Sequence, residues 1–349
     1  MAKNTDQYLI SYRASIKDAL QKLNQLDQNF TLFVLDDHQK VVGSVTDGDI
    51  RRGLINAFAL DAMVDQIMNK NFRCINKFNY TLSHLDEIRS IGITLIPVVD
   101  DDGKLLRLVD LSEKVSLLPL DAVIMAGGEG RRLRPLTDHL PKPLLKIGSK
   151  PILEHNIDRL ANYGVENIHI SINYLGHMIQ DHFNDGRDKN INLQYINEDK
   201  ALGTIGAVSK INNLQHKDIL VMNSDLLTNI NFEDFYKDFI SKEADMAIAS
   251  IPYTVSVPYA VLETHGEDVL SFKEKPSFTY YSNAGIYLIK NEAIKLIPKD
   301  EFFNATDLIE KLLSMNKKVI YYPLLGYWLD IGKHADFEKA QEDIKHIQL

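Results

Sequence analysis

Three closely spaced glycines and a run of cations share one short stretch of this chain, Ala122 to Pro151, AVIMAGGEGRRLRPLTDHLPKPLLKIGSKP. Gly127, Gly128 and Gly130 follow an apolar run, Val123 to Ala126, that reads as the end of a buried parallel strand. Lacking side chains, these glycines permit positive φ angles and let backbone N–H groups approach a ligand. Arg131, Arg132, Arg134, Lys142, Lys146 and Lys150 follow, with few acids among them. Glycine amides beside clustered cations are the chemistry a polyphosphate requires. Two common phosphate loops are excluded: there is no G-x-x-x-x-G-K-[ST], and Leu133 stands where G-x-G-x-x-G needs its third glycine. Farther along, Asn223-Ser-Asp225 directly follows the apolar run Ile219 to Met222. A carboxylate so placed can hold Mg²⁺ against a triphosphate. The plainer alternative is a glycine turn with a solvated basic face and a turn-capping aspartate.

The composite GGEGRRLRPLT followed by PKPLL resembles the opening motif of the sugar-1-phosphate nucleotidyltransferases, which join a nucleoside triphosphate to a sugar phosphate. The resemblance implies that Gly127, Gly128 and Gly130 cradle the nucleotide, while Arg132 and Lys142 stabilise the departing pyrophosphate. It pairs Asp225 with a second metal-binding aspartate, Asp330 in Gly326-Tyr-Trp-Leu-Asp-Ile-Gly, and so makes Mg²⁺ the expected cofactor. Phe272-Lys-Glu-Lys-Pro276 and Asn283-Ala-Gly-Ile-Tyr287 match two further motifs. They imply Lys275 on the sugar phosphate, Glu274 on the sugar hydroxyls and Asn283 beside them. Read alone, the KEK triplet is a solvated charge run on an edge strand.

Asn197-Glu-Asp-Lys-Ala-Leu-Gly-Thr204 matches the family's base-reading loop, which implies Glu198, Gly203 and Thr204 as nucleotide contacts. Uridylyl-type relatives often carry glutamine where this chain has Glu198. An ionised carboxylate only accepts hydrogen bonds. Guanine offers it two adjacent donors, N1–H and the 2-amino group, whereas the carbonyls flanking the N–H of uracil or thymine repel it. GTP is therefore the expected donor; Glu198 facing solvent or paired with Lys200 is the structural alternative. Ala260, where relatives often have glycine against the sugar, and Arg131, where many have Ser or Thr, depart from the pattern.

The implied reaction is attack of a sugar 1-phosphate oxygen on the α-phosphorus of the triphosphate, forming a nucleotide sugar and pyrophosphate. Relatives of this layout make a glucosamine-1-phosphate guanylyltransferase of legionaminic-type acid synthesis the first expectation. Mannose- or heptose-1-phosphate guanylyltransferases and uridylyl- or thymidylyltransferases are the alternatives. The competing class is a non-enzyme, an adenine-nucleotide sensor with an inactive transferase domain.

The elements that must position these groups begin at Asp121, after which strands and helices alternate as in a mostly parallel sheet. Asn167 to Ile172, Asn192 to Asn197, Ile219 to Met222 and Met246 to Ile251 are the further strand candidates. Pro151 opens a helix that Gly164 ends. In such sheets ligands gather beyond the carboxyl ends of the strands.

Upstream lies a duplication. Phe33-Val-Leu-Asp-Asp-His-Gln-Lys-Val-Val returns as Pro97-Val-Val-Asp-Asp-Asp-Gly-Lys-Leu-Leu, each a hairpin preceded by a helix-like stretch, Ser15 to Leu26 and Thr81 to Ser90. Gly43-Ser-Val-Thr-Asp-Gly-Asp-Ile-Arg-Arg is similar to the strand–turn–helix motif of CBS domains. That resemblance implies an adenine nucleotide held by Thr46 and Asp49, with Arg51 or Arg52 on its phosphate. The second copy has Arg107, Asp110 and Glu113 at the glycine, threonine and aspartate positions, so its cleft is expected to reject a phosphate. Thr46 and Asp49 equally suit a helix cap. The expected fold is thus α/β. A CBS-domain pair (residues 1–118, regulatory or dimerising) precedes a Rossmann-like, GT-A-like nucleotidyltransferase domain (119–349) with a mostly parallel mixed sheet. A homo-oligomer is expected because CBS pairs commonly associate face to face.

Composition bounds the rest. At 349 residues, about two or three domains are expected. A net charge of −9 argues against nucleic-acid and anionic-membrane partners, and makes the local cationic run stand out. Cys74 is the one cysteine, which fits a reducing cytoplasm. Met1 to Arg13 lacks the apolar core of a signal peptide, and no run is long and apolar enough to span a membrane.

Overall fold

The computed structural model describes residues 5–77, 79–347 and 349. Residues 1–4 of the expected tandem and of the Met1 to Arg13 stretch lie outside the described residues. The chain divides into two compact units, residues 1–119 with 162–164, and the remainder.

In the first unit the duplication is structural. Strands β1 (Leu9–Ser11), β2 (Thr31–Leu35) and β3 (Val41–Thr46) form one sheet; β4 (Ile75–Asn76), β5 (Leu95–Val99) and β6 (Leu105–Asp110) form another. In each, the first pair is parallel and the second antiparallel. Helix α1 (Ile16–Leu23) crosses over in the first copy and α3 (Leu82–Ser90) in the second, while α2 (Asp47–Ile55) follows β3. The crossover helices start one residue into the expected stretches, which the structure caps: Ser15 accepts from the Asp18 amide, and Thr81 from the His84 amide. Leu95 and Val99 of the second copy pack into the same apolar cluster as Leu32, Val34 and Val45 of the first. This is the mutual burial that two half-sized modules need.

In the second unit β7 (Asp121–Met125) lies in the interior of a seven-stranded sheet. After it come the short strands β8 (Lys146–Ile147) and β9 (Lys150–Pro151), helix α4 (Ile152–Asn162), β10 (Asn167–Ile172), α5 (Gly176–Phe183) and β11 (Asn192–Asn197). Next are β12 (Asp218–Asn223), β13 (Leu226–Thr228), α6 (Phe232–Ser241), β14 (Met246–Ser256), β15 (Val261–His265), β16 (Asp268–Lys273) and β17 (Ser277–Lys290). Helices α7 (Asn291–Ile294) and α8 (Ala305–Ser314), strands β18 (Val319–Pro323) and β19 (Trp328–Asp330), and helix α9 (His334–Asp343) complete it. The large sheet runs β11-β10-β7-β12-β17-β14-β18, with β17 antiparallel to both neighbours and the remaining pairs parallel.

Ala122, Val123 and Ile124 are fully buried, as expected of a central parallel strand. Gly164 ends the helical stretch at φ 76°, although Pro151 itself pairs in β9 one residue before α4 begins. Strand β14 runs past the expected Ile251 to Ser256, because its outer half pairs with β17 as a ribbon, Ser256 opposite Ser277. Among the described residues, no helix is long and apolar enough to cross a membrane.

Candidate active site

Strands β7, β10, β11 and β12 run parallel, so their carboxyl ends share one edge of the sheet. A cavity of about 400 Å³ opens there. Gly127, Gly128, Gly130, Arg132, Lys142, Glu198, Gly203, Thr204 and Asp225 all line it, with Arg131. Residues from three separate motifs, distant in the chain, thus meet in one cleft, as the switch-point rule for open α/β sheets anticipates.

The glycines differ in what they do. Of the three in the loop, Gly130 alone takes a positive φ, 64°, which corrects the expectation for Gly127 and Gly128. A Cβ on Gly127 would lie 2.8 Å from Glu198 Oε1, so this glycine makes room for the carboxylate. A Cβ on Gly128 would meet nothing within 4 Å; it faces open space. Gly203 has φ 80°, and a Cβ there would come within 2.6 Å of the Phe303 carbonyl oxygen. Its loop is closely applied to the 302–304 segment: Phe303 N–H donates to Leu202 O (3.0 Å) and Gly206 N–H to Phe303 O (3.1 Å). Thr204 lines the cavity while its hydroxyl accepts from Ala305 N–H (2.9 Å) at the start of α8.

Glu198 is buried, at 8% exposure, and neither faces solvent nor pairs with Lys200. Its Oε1 accepts from the Ser171 hydroxyl, and its Oε2 from Leu202 N–H at 2.9 Å. Asn173 Nδ2 donates to the Glu198 carbonyl at 2.6 Å.

The Lys142 ammonium is nearly buried and donates to Asp225 Oδ2. Asp225 is positioned from below by Asn156 of α4, whose buried amide donates to the carbonyls on either side, Ser224 O (3.3 Å) and Leu226 O (3.0 Å). Sequence reasoning passed over Asn156, since an asparagine inside a helix carries no signal of what it holds. The Asp330 motif arrives by pairing: Leu226 is opposite Asp330 in the β13–β19 ladder, and Ile331 N–H donates to Asp225 O at 3.1 Å. Asp330 Oδ1 is buried with no hydrogen-bond partner. Burial, and then the Asp225 carboxylate, push the Asp330 carboxyl above its ordinary value, with Lys142 and Arg132 opposing. A buried acceptor without a donor, beside a second carboxylate, suits a hard cation that takes one or two carboxylates and completes its shell with phosphate and water. Among the described residues there is no group of three or more His, Cys, Asp or Glu that could hold a metal by itself.

Arg131 is turned to its own neighbour: Nε donates to Glu129 Oε2 (2.7 Å) and a terminal nitrogen to Oε1 (2.8 Å), a fork at the rim. Glu274, Lys275 and Asn283 are not among the residues lining this cavity. Glu274 and Lys275 occupy the exposed turn between β16 and β17, Lys275 at φ 43°. Asn283 is exposed on β17, its Oδ1 accepting from Gly285 N–H and its Nδ2 donating to the Tyr287 hydroxyl, both at 2.9 Å. Ala260 lies in the exposed link between β14 and β15.

In the first unit, Thr46 and Asp49 form a reciprocal capping box on α2: Asp49 Oδ2 accepts from Thr46 N–H at 2.8 Å, and Thr46 Oγ1 from Asp49 N–H at 3.3 Å. Arg52 pairs with Asp49 (2.6 Å) and Arg51 with Asp47 (2.7 Å). Thr46, but not Asp49, borders a second cavity, of about 450 Å³, along with Phe33, Phe72 and Arg73. Asp110, the counterpart of Thr46, accepts from Asn29 Nδ2 (2.8 Å) and from Ser112 N–H (2.9 Å).

Comparison with known proteins gives the architecture a family. The nucleotidyl transferase family matches residues 121–347, and the CBS domain matches residues 4–56. A bifunctional protein GlmU of Methanococcus maripaludis is 33% identical over 231 residues, covering 63% of this chain and 53% of the relative. The chain therefore spans about half the length of that relative. D-glycero-alpha-D-manno-heptose 1-phosphate guanylyltransferase of Aneurinibacillus thermoaerophilus is 30% identical over 233 residues, covering 65% of this chain and 99% of the relative. Among solved structures, HddC from Yersinia pseudotuberculosis complexed with GMP-PN superposes with a TM-score of 0.50 at 26% identity, covering 64% of this chain and 99% of that one. With the glycine loop, the paired aspartates and the mixed sheet in place, the chain belongs to the nucleotidyl transferase family and carries an N-terminal CBS-domain pair.

Proposed function

We propose that this protein transfers a nucleotidyl group from a nucleoside triphosphate, GTP by preference, to a sugar 1-phosphate, releasing pyrophosphate. One observation carries the reading. The cavity at the carboxyl edge brings Gly127, Gly128, Gly130, Arg132, Lys142 and Asp225 together with Glu198. The nucleophile is already an anion, so no covalent enzyme intermediate is needed; alignment and charge stabilisation suffice. Gly128, with open space before it, lets the backbone approach the triphosphate. Arg132 and Lys142 take the charge that builds on pyrophosphate, each such charge-assisted hydrogen bond contributing about 1.5–3 kcal/mol. Lys275 and Glu274 meet the sugar phosphate and its hydroxyls, with Asn283 beside them. Asp225 and Asp330 would hold Mg²⁺, which when bound neutralises charge on phosphate oxygens.

The preference for GTP rests on Glu198 as an acceptor-only group in the cleft. Two similar proteins support it: one is named a guanylyltransferase, and HddC was solved with GMP-PN. Glucosamine 1-phosphate is our first choice of acceptor, with mannose or heptose 1-phosphate as alternatives. We assign residues 1–118 to regulation or dimerisation through an adenine nucleotide near Thr46 and Asp49, 119–349 to transfer, and a reducing cytoplasm as the site of action. The test is pyrophosphate release with Mg²⁺ across panels of nucleoside triphosphates and sugar 1-phosphates. Release with GTP and one sugar phosphate is expected; silence in every pairing would leave a sensor with an inactive transferase domain.

A further inference from the structure

A carboxylate that reads a base must be held still, and Glu198 sits on a loop that begins where β11 ends. What holds it comes from the neighbouring strand. Ser171 is fully buried near the end of β10, and its hydroxyl donates to Glu198 Oε1; Leu202 N–H donates to Oε2. Each oxygen thus carries one protein donor and keeps acceptor capacity over, since a carboxylate offers about four lone-pair sites. Gly127 leaves the space in front of Oε1 free of a side chain. A serine hydroxyl at this place orients the carboxylate and leaves it the acceptor pair that two adjacent N–H donors would meet.

We infer that Ser171 is the positioning residue for base selection, setting the Glu198 carboxylate so that it favours a guanine over a pyrimidine. The inference rests on the guanine reading above and adds to it the residue that makes Glu198 selective. It is not a general packing role: Ser171→Ala removes one oxygen, adds no bulk, and leaves the Leu202 contact in place. Loosening the carboxylate should weaken GTP more than UTP, because only the first uses both acceptor positions.

The measurement is the ratio of GTP to UTP dissociation constants by titration calorimetry with MgCl₂, on full-length wild type, Ser171→Ala, Glu198→Gln and the double variant. Binding needs no sugar phosphate, so the unknown acceptor does not enter. Circular dichroism and urea unfolding establish that each variant is folded. Ser171→Ala should lower the preference for GTP about tenfold, the scale of one hydrogen bond to a charged group. In the Glu198→Gln background the same change should leave the ratio unaltered. If Glu198→Gln shifts the ratio and Ser171→Ala does not, Ser171 is structural and the guanine reading stands without it. If Ser171→Ala weakens both nucleotides equally, its role is again structural. If Glu198→Gln leaves a GTP preference intact, the base reading itself falls, and this inference with it.

Discussion

Lys142 and Asp225 neutralise each other inside the cleft, the ammonium of one on Oδ2 of the other. This pair joins the residue assigned to pyrophosphate with the residue assigned to the metal, across 83 positions of sequence. Asp225→Asn would leave the Lys142 ammonium enclosed with a neutral partner. We expect it to cost about 2 kcal/mol of stability and about a hundredfold or more in turnover. Unfolding curves and the pyrophosphate assay, run at saturating Mg²⁺, check both. Near-normal turnover would remove Asp225 from the metal site.

Asp330 should respond with the opposite sign in stability. Its Oδ1 is buried and unpartnered, and Asp225 repels it. In metal-free protein, Asp330→Asn removes that repulsion and supplies a donor, so a gain of about 1 kcal/mol is expected. Turnover should collapse all the same. Thermal unfolding in EDTA reads the first effect; a destabilised Asp330→Asn would refute it.

Much of this arrangement is legible in the chain because it lies in contiguous motifs. The runs that become β7, β10, β11 and β12 carry their own boundaries, and the helix-like stretches from Ser15 and Thr81 match the helices that form. Pairings between distant short strands carry no such mark: nothing in Leu226–Thr228 says that it will meet Trp328–Asp330. The supports are equally silent. Asn156 and Ser171 act through a carbonyl and a carboxylate contributed by other elements, so their meaning appears only when those elements are adjacent. Gly127 shows the limit of reading a residue type, since its use is clearance for Glu198 and not a positive φ.

A buried carboxylate at the opposite end of β7 should govern acid stability. Asp121 is fully buried and accepts from Gln215 N–H (2.6 Å), His216 N–H (3.1 Å) and His216 Nδ1 (3.0 Å). Burial alone would raise its pKa, but the His216 and Gln215 interactions together hold it below the ordinary 3.8. With the folded pKa depressed, its contribution is complete above 3.8 and is lost as pH falls through the lower folded value. Asp121→Asn should therefore cost about 2 kcal/mol at pH 7, with the gap to wild type closing below that range. Urea unfolding as a function of pH gives the answer; a gap that widens on acidification would refute it.

Thr46 offers a test of the cap against the ligand role. Thr46→Ala removes the hydroxyl from the box on α2 and should cost the first unit about 1 kcal/mol, with or without nucleotide. Adenine-nucleotide calorimetry on the full chain then shows whether the same hydroxyl binds anything. A variant as stable as wild type would discount the cap.

The two units differ in how far the chain must travel to close their sheets. In the first unit Thr31 finds Thr46 and Leu95 finds Asp110, neighbours almost as soon as they are made. In the second, Asp121 pairs with Ile219, and Met246 waits for Val319. Loop-closure entropy must be met before such remote strands repay it, and non-local topologies fold more slowly. During synthesis the strands of the first unit are complete before β12 leaves the ribosome. The first unit can thus mature while the strands that build the cleft are still being made.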